Sequence, residues 1–281
     1  MKNFARKWLL PPGINQLLAD APPPVKRLWA GQSSRHKSIK LDPCGKKVAT
    51  LGKLQVAPYG EVVWVETDKI RLWGRALTPQ QNQHVRYFQD GFESYKRFFD
   101  LHQPRDQFEA LMLDPKKVGP FLPVRFPRLR KPWSFEITHV GTDFLNASHG
   151  TQEHGPLSKR KLRREKSRLD SILDSVGAHG FVGRSFDFIR FSELLVDDAD
   201  PHRIDYKVLL VGGVHRACLL AHFGWPAIPM MPQPVWPLRS VRLSELARWP
   251  GVLDGTFSEE AARAYFLAHF RDPNEELLPG W

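Results

Sequence analysis

The segment over residues 208–229 constrains the fold of this chain more than any other stretch. An apolar run meets the glycine pair Gly212 and Gly213, and a helix-like run over residues 217–223 follows. A further glycine separates this run from a second apolar segment. Short apolar runs bounded by glycine are typical of buried strands, so the pattern predicts a strand, a tight loop, a helix, a turn and a second strand.

The loop in the middle of this segment carries groups that suit a phosphate. Glycine lets the backbone approach a ligand closely, and the start of a helix carries a partial positive charge. Arg216 can hold phosphate oxygens through two N–H groups, and His215 can donate one hydrogen bond or cap the helix. Two interpretations stay open: a phosphate grip, or N-terminal capping without a ligand.

The pattern GG-x-HR between a strand and a helix resembles the ParB/sulfiredoxin-like superfamily, over roughly residues 120–235. Loops of the forms D-G-x-H-R, G-G-C-H-R and G-E-R-R hold nucleotide phosphates in that superfamily. The resemblance implies an α+β fold, with a small mixed sheet and flanking helices. It also implies that ATP, ADP or CTP binds, with or without magnesium. The residues that would hold the nucleotide are Gly212, Gly213, His215, Arg216 and, on a preceding helix, Arg168.

Two positions depart from the loops of this superfamily. Sulfiredoxins have a catalytic cysteine where this chain has Val214, so sulfinic acid reduction by that route is excluded. Free-serine kinases and many ParB-type domains have an acidic residue where this chain has Gly212. The loop therefore lacks a carboxylate that could hold a metal, and any catalytic group must come from across the cleft.

The pattern over residues 158–176 predicts a long helix. Glu165 follows Leu162 by three residues and precedes Leu169 by four, which places its carboxylate on or beside the apolar face. In ParB-like folds the helix before the glycine loop lines the nucleotide cleft. The resemblance therefore implies that Glu165 and Arg168 face a substrate or a metal. An ordinary i,i+3 pair between them is the alternative.

The loop over residues 149–156 contains two histidines and one glutamate. Its HxxxEH spacing is one residue longer than the HxxEH zinc motif, and its glycines and proline disfavour a helix, so no metal ligands are expected. Glu153 or His154 could act as an acid or base at the rim of an active site. An ordinary polar turn is the alternative.

The chain is strongly basic, with a formal net charge of +11 at pH 7. Such a charge favours phosphate-rich partners: nucleotides, nucleic acid or anionic membranes. The basic run over residues 159–168 could bind nucleic acid or form a solvated helix face. Residues 1–20 could touch a membrane surface weakly or pack on the protein itself. This basic start resembles those of proteins from surface-polysaccharide gene clusters.

Several features bound the class of protein. The chain has 2 cysteines without a pairing pattern, and Cys218 is expected in the core rather than as a reactive thiol. Apolar runs stay shorter than the ~20 residues of a membrane span, so a cytoplasmic protein, at most peripheral to the membrane, is expected. No Walker A, GxGxxG or GxSxG motif is present. A helix-turn-helix does not stand out after the ParB-like region, which disfavours chromosome partition.

Three regions are predicted along the chain: a β-rich and helical region over residues 1–119, a ParB-like domain over residues 120–240, and a C-terminal helical extension over residues 241–281. The finer expectations are strands at 48–56, 61–65 and 70–73, a hairpin turn at 57–60, helices at 79–100 and 107–112, and a helical tail after residue 237 with a capping box at Thr256 to Glu259.

The leading functional hypothesis is a nucleotide-dependent phosphotransferase acting on a small-molecule or glycan-related acceptor. Glu165, or Glu153 and His154, would activate the acceptor hydroxyl or position a magnesium ion. One alternative is a nucleic-acid-binding or nuclease-like protein of the ParB type. Another is a non-catalytic nucleotide sensor or scaffold at the membrane surface.

Overall fold

The computed structural model divides the chain into two units, Met1–Ile39 and Lys40–Trp281, and the fold described below is that of the second. The predicted membrane-contacting segment, residues 1–20, and His149 lie outside the described residues. Only the backbone is described for residues 39–40, 128–129, 137–139, 183 and 239. The described residues are 39–40, 45–114, 116–120, 128–135, 137–139, 153–183, 188–233 and 239–278.

Helices and strands alternate irregularly along the chain. The helices are α1 (Leu51–Val56), α2 (Gln83–Asp90), α3 (Phe92–Leu101), α4 (Gln107–Ala110), α5 (Lys159–His179), α6 (Val214–His222), α7 (Pro250–Leu253) and α8 (Glu259–Leu267). The strands are β1 (Ile39–Lys40), β2 (Val63–Glu66), β3 (Ile70–Leu72), β4 (Arg75–Ala76), β5 (Arg128–Arg130), β6 (Ile137–His139), β7 (Val182–Gly183), β8 (Ile189–Asp197), β9 (Asp205–Gly212), β10 (Ala227–Pro232) and β11 (Arg239–Arg242). Short 3-10 turns cover Thr67–Lys69, Leu243–Arg248 and Ala268–Phe270.

A seven-stranded open sheet forms the centre of the fold, in the order β2-β10-β8-β9-β3-β4, with β11 also paired to β8. Strand β8 runs antiparallel to β9 and parallel to both β10 and β11. Strand β3 is parallel to β9, and β2 is antiparallel to β10. The predicted α+β class, with a mixed sheet and flanking helices, is therefore confirmed.

The two faces of the sheet bury different clusters, because side chains alternate along a strand. On β9, Val208 and Leu210 join one cluster, whereas Leu209 joins the other. Helix α6 packs on the first face through Ala217 and Leu220. The second face is covered by the aromatic C-terminal region around α8, which includes Trp133, Tyr265 and Phe266. Each fully buried large apolar side chain contributes roughly 1.5–3 kcal/mol to folding.

The predicted strand–loop–helix–turn–strand unit is confirmed as β9, Gly213, α6 and β10. Gly213 adopts a left-handed conformation with φ 71°, which side chains disfavour. A Cβ atom at this position would lie 2.9 Å from the Ile189 Cα on β8. The turn thus needs glycine both for its backbone angle and for the close approach of the neighbouring strand.

The predicted strand over residues 48–56 is wrong, since α1 occupies most of it. The Thr50 hydroxyl accepts a hydrogen bond from the Lys53 amide and caps the helix. Leu51 and Leu54 then fall three residues apart on the side that meets the core. This spacing suits one helical turn, whereas a short apolar stretch alone does not distinguish helix from strand.

Two further expectations need correction. The helix predicted over residues 79–100 is two helices, α2 and α3, which are separated by Gly91 with φ 84°. Ser258, rather than Thr256, caps α8 by accepting from the Ala261 amide. The Thr256 hydroxyl instead bonds Asp254 at 2.6 Å. The tail after residue 237 begins with β11, which makes it only partly helical.

The helical interpretation of residues 158–176 is confirmed by α5, whose N-cap is Ser158. The division predicted at residues 119 and 240 stays a prediction. The sheet itself takes strands from both sides of residue 119. Within the described part of the chain, none of the helices has the length and apolar character needed to cross a lipid bilayer.

Candidate functional site

Glu165 is the centre of a buried charge cluster between α5 and α6. Its side chain is fully buried. Within α5, Arg168 Nη1 lies 3.1 Å from Glu165 Oε1, and Lys161 Nζ lies 3.4 Å from the same oxygen. From the first turn of α6, His215 Nε2 lies 3.3 Å from Glu165 Oε2, although it lacks hydrogen-bond alignment. The structure therefore brings Glu165, Arg168 and His215 together.

The electrostatic balance keeps Glu165 ionised. Burial by itself raises the pKa of this carboxyl, but the contact with His215, followed by the charges of Arg168 and Lys161, lowers the pKa to about 2. A carboxylate with such a low pKa is a weak proton acceptor near neutral pH. Glu165 is better placed to orient and balance His215 than to remove a proton itself.

His215 also contacts a second buried imidazole, that of His84. The two ring centroids are 4.7 Å apart and the planes are inclined by 78°, an edge-to-face arrangement. His84 lies near the start of α2, where the Asn82 side chain caps the helix and also accepts from the thiol of Cys218 on α6. This contact ties the start of α2 to α6. Sequence analysis did not find His84, because the aromatic stripe behind it indicated only a helix core.

Glu153 lies in a buried ion pair. Its Oε2 is 3.1 Å from Arg75 Nη2, and the two side chains are 5% and 1% exposed. Arg75 Nη1 also donates to Gln83 Oε1 at 3.0 Å. The expectation that Glu153 sits at the open rim of an active site is therefore wrong. Its charge balances that of a buried guanidinium, as a charge in a protein interior requires.

His154 is also buried rather than at a rim. Its Nδ1 lies 3.0 Å from the Gly155 carbonyl oxygen. Burial, together with the nearby charge of Arg75, lowers the pKa of His154 to about 4 against the opposing effect of that carbonyl. The imidazole is therefore neutral at pH 7, where it can take up a proton only at a large energetic cost.

One polar chain connects the two predicted carboxylates through the interior. It runs from Glu153 through Arg75, Gln83, His84 and His215 to Glu165. Tyr95 lies beside it, with its ring 5.5 Å from that of His84. Burial, then the negative charges of Glu165 and Glu153, raise the pKa of Tyr95, so its hydroxyl stays protonated.

The first turn of α6 carries the features expected of an anion site. Its N-cap, Gly213, has no side chain that could bond the first amide groups of the helix. Arg216 lies at this turn and is partly exposed, whereas His215 is buried against Glu165. Gly212 packs beside Arg190, whose Cβ would lie 3.4 Å from a Cβ at residue 212. The exposed part of the predicted loop is thus Arg216 and the helix start.

The described residues do not suit a bound metal. Among them, no group of three or more His, Cys, Asp or Glu side chains could hold an ion. Glu165 is surrounded by cations and an imidazole, which oppose a divalent cation. Cys218 is fully buried, and burial raises the pKa of its thiol, so the expectation of a core cysteine agrees with its position.

A separate cleft of about 590 Å³ opens at the other end of α6. Its walls include Asp68, Thr78 and Gln89, together with His222 from the last turn of the helix. None of the predicted site residues lines this cleft. Comparison with models of protein families, with curated proteins and with solved structures gives no match to this chain.

Proposed function

We propose that this protein is a nucleotide-binding, ParB-like phosphotransferase that acts on a small-molecule or glycan-related acceptor. The observation that carries the proposal is the meeting of Glu165 and His215 at the first turn of α6, directly after the glycine turn. A strand–glycine turn–helix unit of this kind presents amide groups and a partial positive charge to an anion. The paired side chains add an acid–base group at the same point.

In this proposal the phosphates of ATP, ADP or CTP bind at the first amides of α6, and Arg216 grips their oxygens. The acceptor hydroxyl gives its proton to His215, which Glu165 orients. The acceptor oxygen bonds to the transferred phosphorus, and the bridging oxygen leaves with the nucleotide. Such a reaction requires mainly positioning and charge neutralisation. The described residues do not fit a magnesium ion, so the protein's part in the transfer is derived without one.

A thermal-shift screen with ATP, ADP, CTP and GTP, each with and without magnesium, tests the proposal. A nucleotide that binds the folded state alone stabilises it by about 2.7 kcal/mol when its concentration is 100 times the Kd. We therefore expect a rise in Tm that grows with the concentration of one or more nucleotides. Inorganic sulfate at equal ionic strength is the control. Equal Tm values with all four nucleotides and with sulfate would remove the nucleotide site.

Nucleic-acid binding is a second candidate, because α5 exposes a basic face. Most cations of its first half point to solvent: Lys159, Arg160, Arg163, Arg164 and Lys166. The acidic residue of this stretch, Glu165, is buried instead. Helical neighbours three or four residues apart form one surface, so these cations present a continuous positive strip to a phosphate backbone.

The double variant Arg160→Gln/Arg163→Gln tests this strip. If DNA binds there, the variant weakens binding and reduces the slope of log K against log salt by about 0.9 for each DNA phosphate that is no longer neutralised. The measurement is a fluorescence titration of duplex DNA at several salt concentrations. The matched control is Arg203→Gln/Arg248→Gln, which removes the same charge from exposed positions outside α5. Equal slopes for the two variants contradict the second candidate.

A further inference from the structure

The orientation of the Gln83 side chain can be assigned from its two buried neighbours. Arg75 Nη1 lies 3.0 Å from Gln83 Oε1, and a guanidinium can only donate. The carbonyl oxygen of Gln83 therefore faces Arg75, and its amide nitrogen faces His84. All three side chains are almost completely buried, so solvent does not supply alternative partners.

This orientation decides the tautomer of His84. Gln83 Nε2 and His84 Nε2 are 3.2 Å apart, and an amide NH₂ group can only donate. His84 Nε2 must therefore accept, which leaves the single proton of a neutral imidazole on Nδ1. The ion pair of Arg75 with Glu153 fixes the guanidinium at the other end of this chain, at 3.1 Å.

His84 in turn forms one wall of the space that His215 occupies. Its ring meets the His215 ring edge to face at 4.7 Å, while Glu165 lies on the His215 Nε2 side at 3.3 Å. A ring held between a fixed aromatic neighbour and a carboxylate has little freedom to rotate, because buried side chains are closely packed. The geometry of His215 thus depends on the geometry of His84.

We propose that His84 is a positioning residue for His215, with its tautomer set by the Arg75–Glu153 ion pair through Gln83. The part of this inference that concerns nucleotide binding rests on the proposed function. The titratable groups around the two rings come from several elements: Arg75 of β4, Tyr95 of α3, Glu153, Lys161, Glu165 and Arg168 of α5, and Cys218 of α6.

The variant Gln83→Glu tests the proposal with almost no change of shape. A carboxylate still accepts from Arg75, but it cannot donate to His84. His84 Nε2 must then carry a proton. Long-range ¹H–¹⁵N NMR of the full chain without nucleotide reads the protonated nitrogen directly, with signals assigned by their loss in His84→Phe and His215→Phe. The control is Gln89→Glu, which adds the same charge to an exposed position of α2.

We expect the Nδ1–H form of His84 in the natural protein and in Gln89→Glu. In Gln83→Glu we expect an Nε2–H signal together with shifted ring signals of His215. Where a nucleotide binds, the pH profile of its affinity should also move in Gln83→Glu and not in the control. An unchanged tautomer, unchanged His215 signals, or an unchanged pH profile would each overturn the positioning role. Failure of all nucleotides to bind contradicts the proposed function alone, since the NMR signals are read without them.

Discussion

Replacing Arg75 with leucine is expected to destabilise the protein by about 3–5 kcal/mol, because it leaves the charge of Glu153 buried without its partner. The substitution also removes the donor that satisfies Gln83 Oε1. Urea unfolding followed by circular dichroism measures the loss as a lower midpoint at an unchanged slope. A cost of this size is a large share of the total stability of an ordinary domain.

Two further variants decide whether the ion pair causes this loss. Arg105→Leu removes a guanidinium that is 87% exposed and also contacts a carboxylate, so it should leave the midpoint almost unchanged. The double variant Arg75→Leu/Glu153→Leu removes both buried charges and should recover a large part of the missing stability. A double variant as unstable as the sum of the two single variants would show that the loss comes from packing instead.

Replacing Arg216 with alanine is expected to lower nucleotide affinity by about 10–100-fold. Hydrogen bonds from a guanidinium to a charged oxygen are each worth about 1.5–3 kcal/mol, and the amide groups of α6 alone cannot replace them. Isothermal titration calorimetry with the nucleotide that gives the largest Tm shift measures the change. The Tm without nucleotide should stay near that of the natural protein, since Arg216 is partly exposed.

Arg203→Ala serves as the matched control for this prediction. Arg203 is exposed in the turn between β8 and β9, and its removal changes the net charge by the same amount. It should therefore leave the affinity unchanged if Arg216 acts through a direct contact. Equal affinities for Arg216→Ala and the natural protein would remove the phosphate grip from the proposed function. Equal losses in both variants would show that net charge alone attracts the nucleotide.

Local patterns in the sequence predict the fold where a single element determines them. The unit of β9, Gly213, α6 and β10 follows from short apolar runs and the glycines between them. The spacing of Glu165 from its apolar neighbours correctly predicts that it lies on the inner face of α5. The same reasoning fails at α1, where the cap from Thr50 decides between two conformations that the apolar spacing leaves open.

The buried polar chain could not be predicted in the same way. Arg75 and Glu153 are separated by 78 residues, and no periodic pattern relates them. Gln83 and His84 stand in a polar run, Gln81 to His84, directly before the apolar positions of α2, and this run was the one signal that the sequence carries. Its significance depends on which distant side chains pack against it, and the sheet topology alone determines that.

The sheet joins distant parts of the chain, and this has a consequence for synthesis on the ribosome. Glu66 of β2 pairs with Ala227 of β10, about 160 residues later. At about 5–20 residues per second, roughly 8–30 s pass before the partner strand is made. The early strands must wait with their edges unpaired, and contacts of such long range form slowly. The nascent chain is therefore most exposed to aggregation and to chaperones before β10 leaves the ribosome.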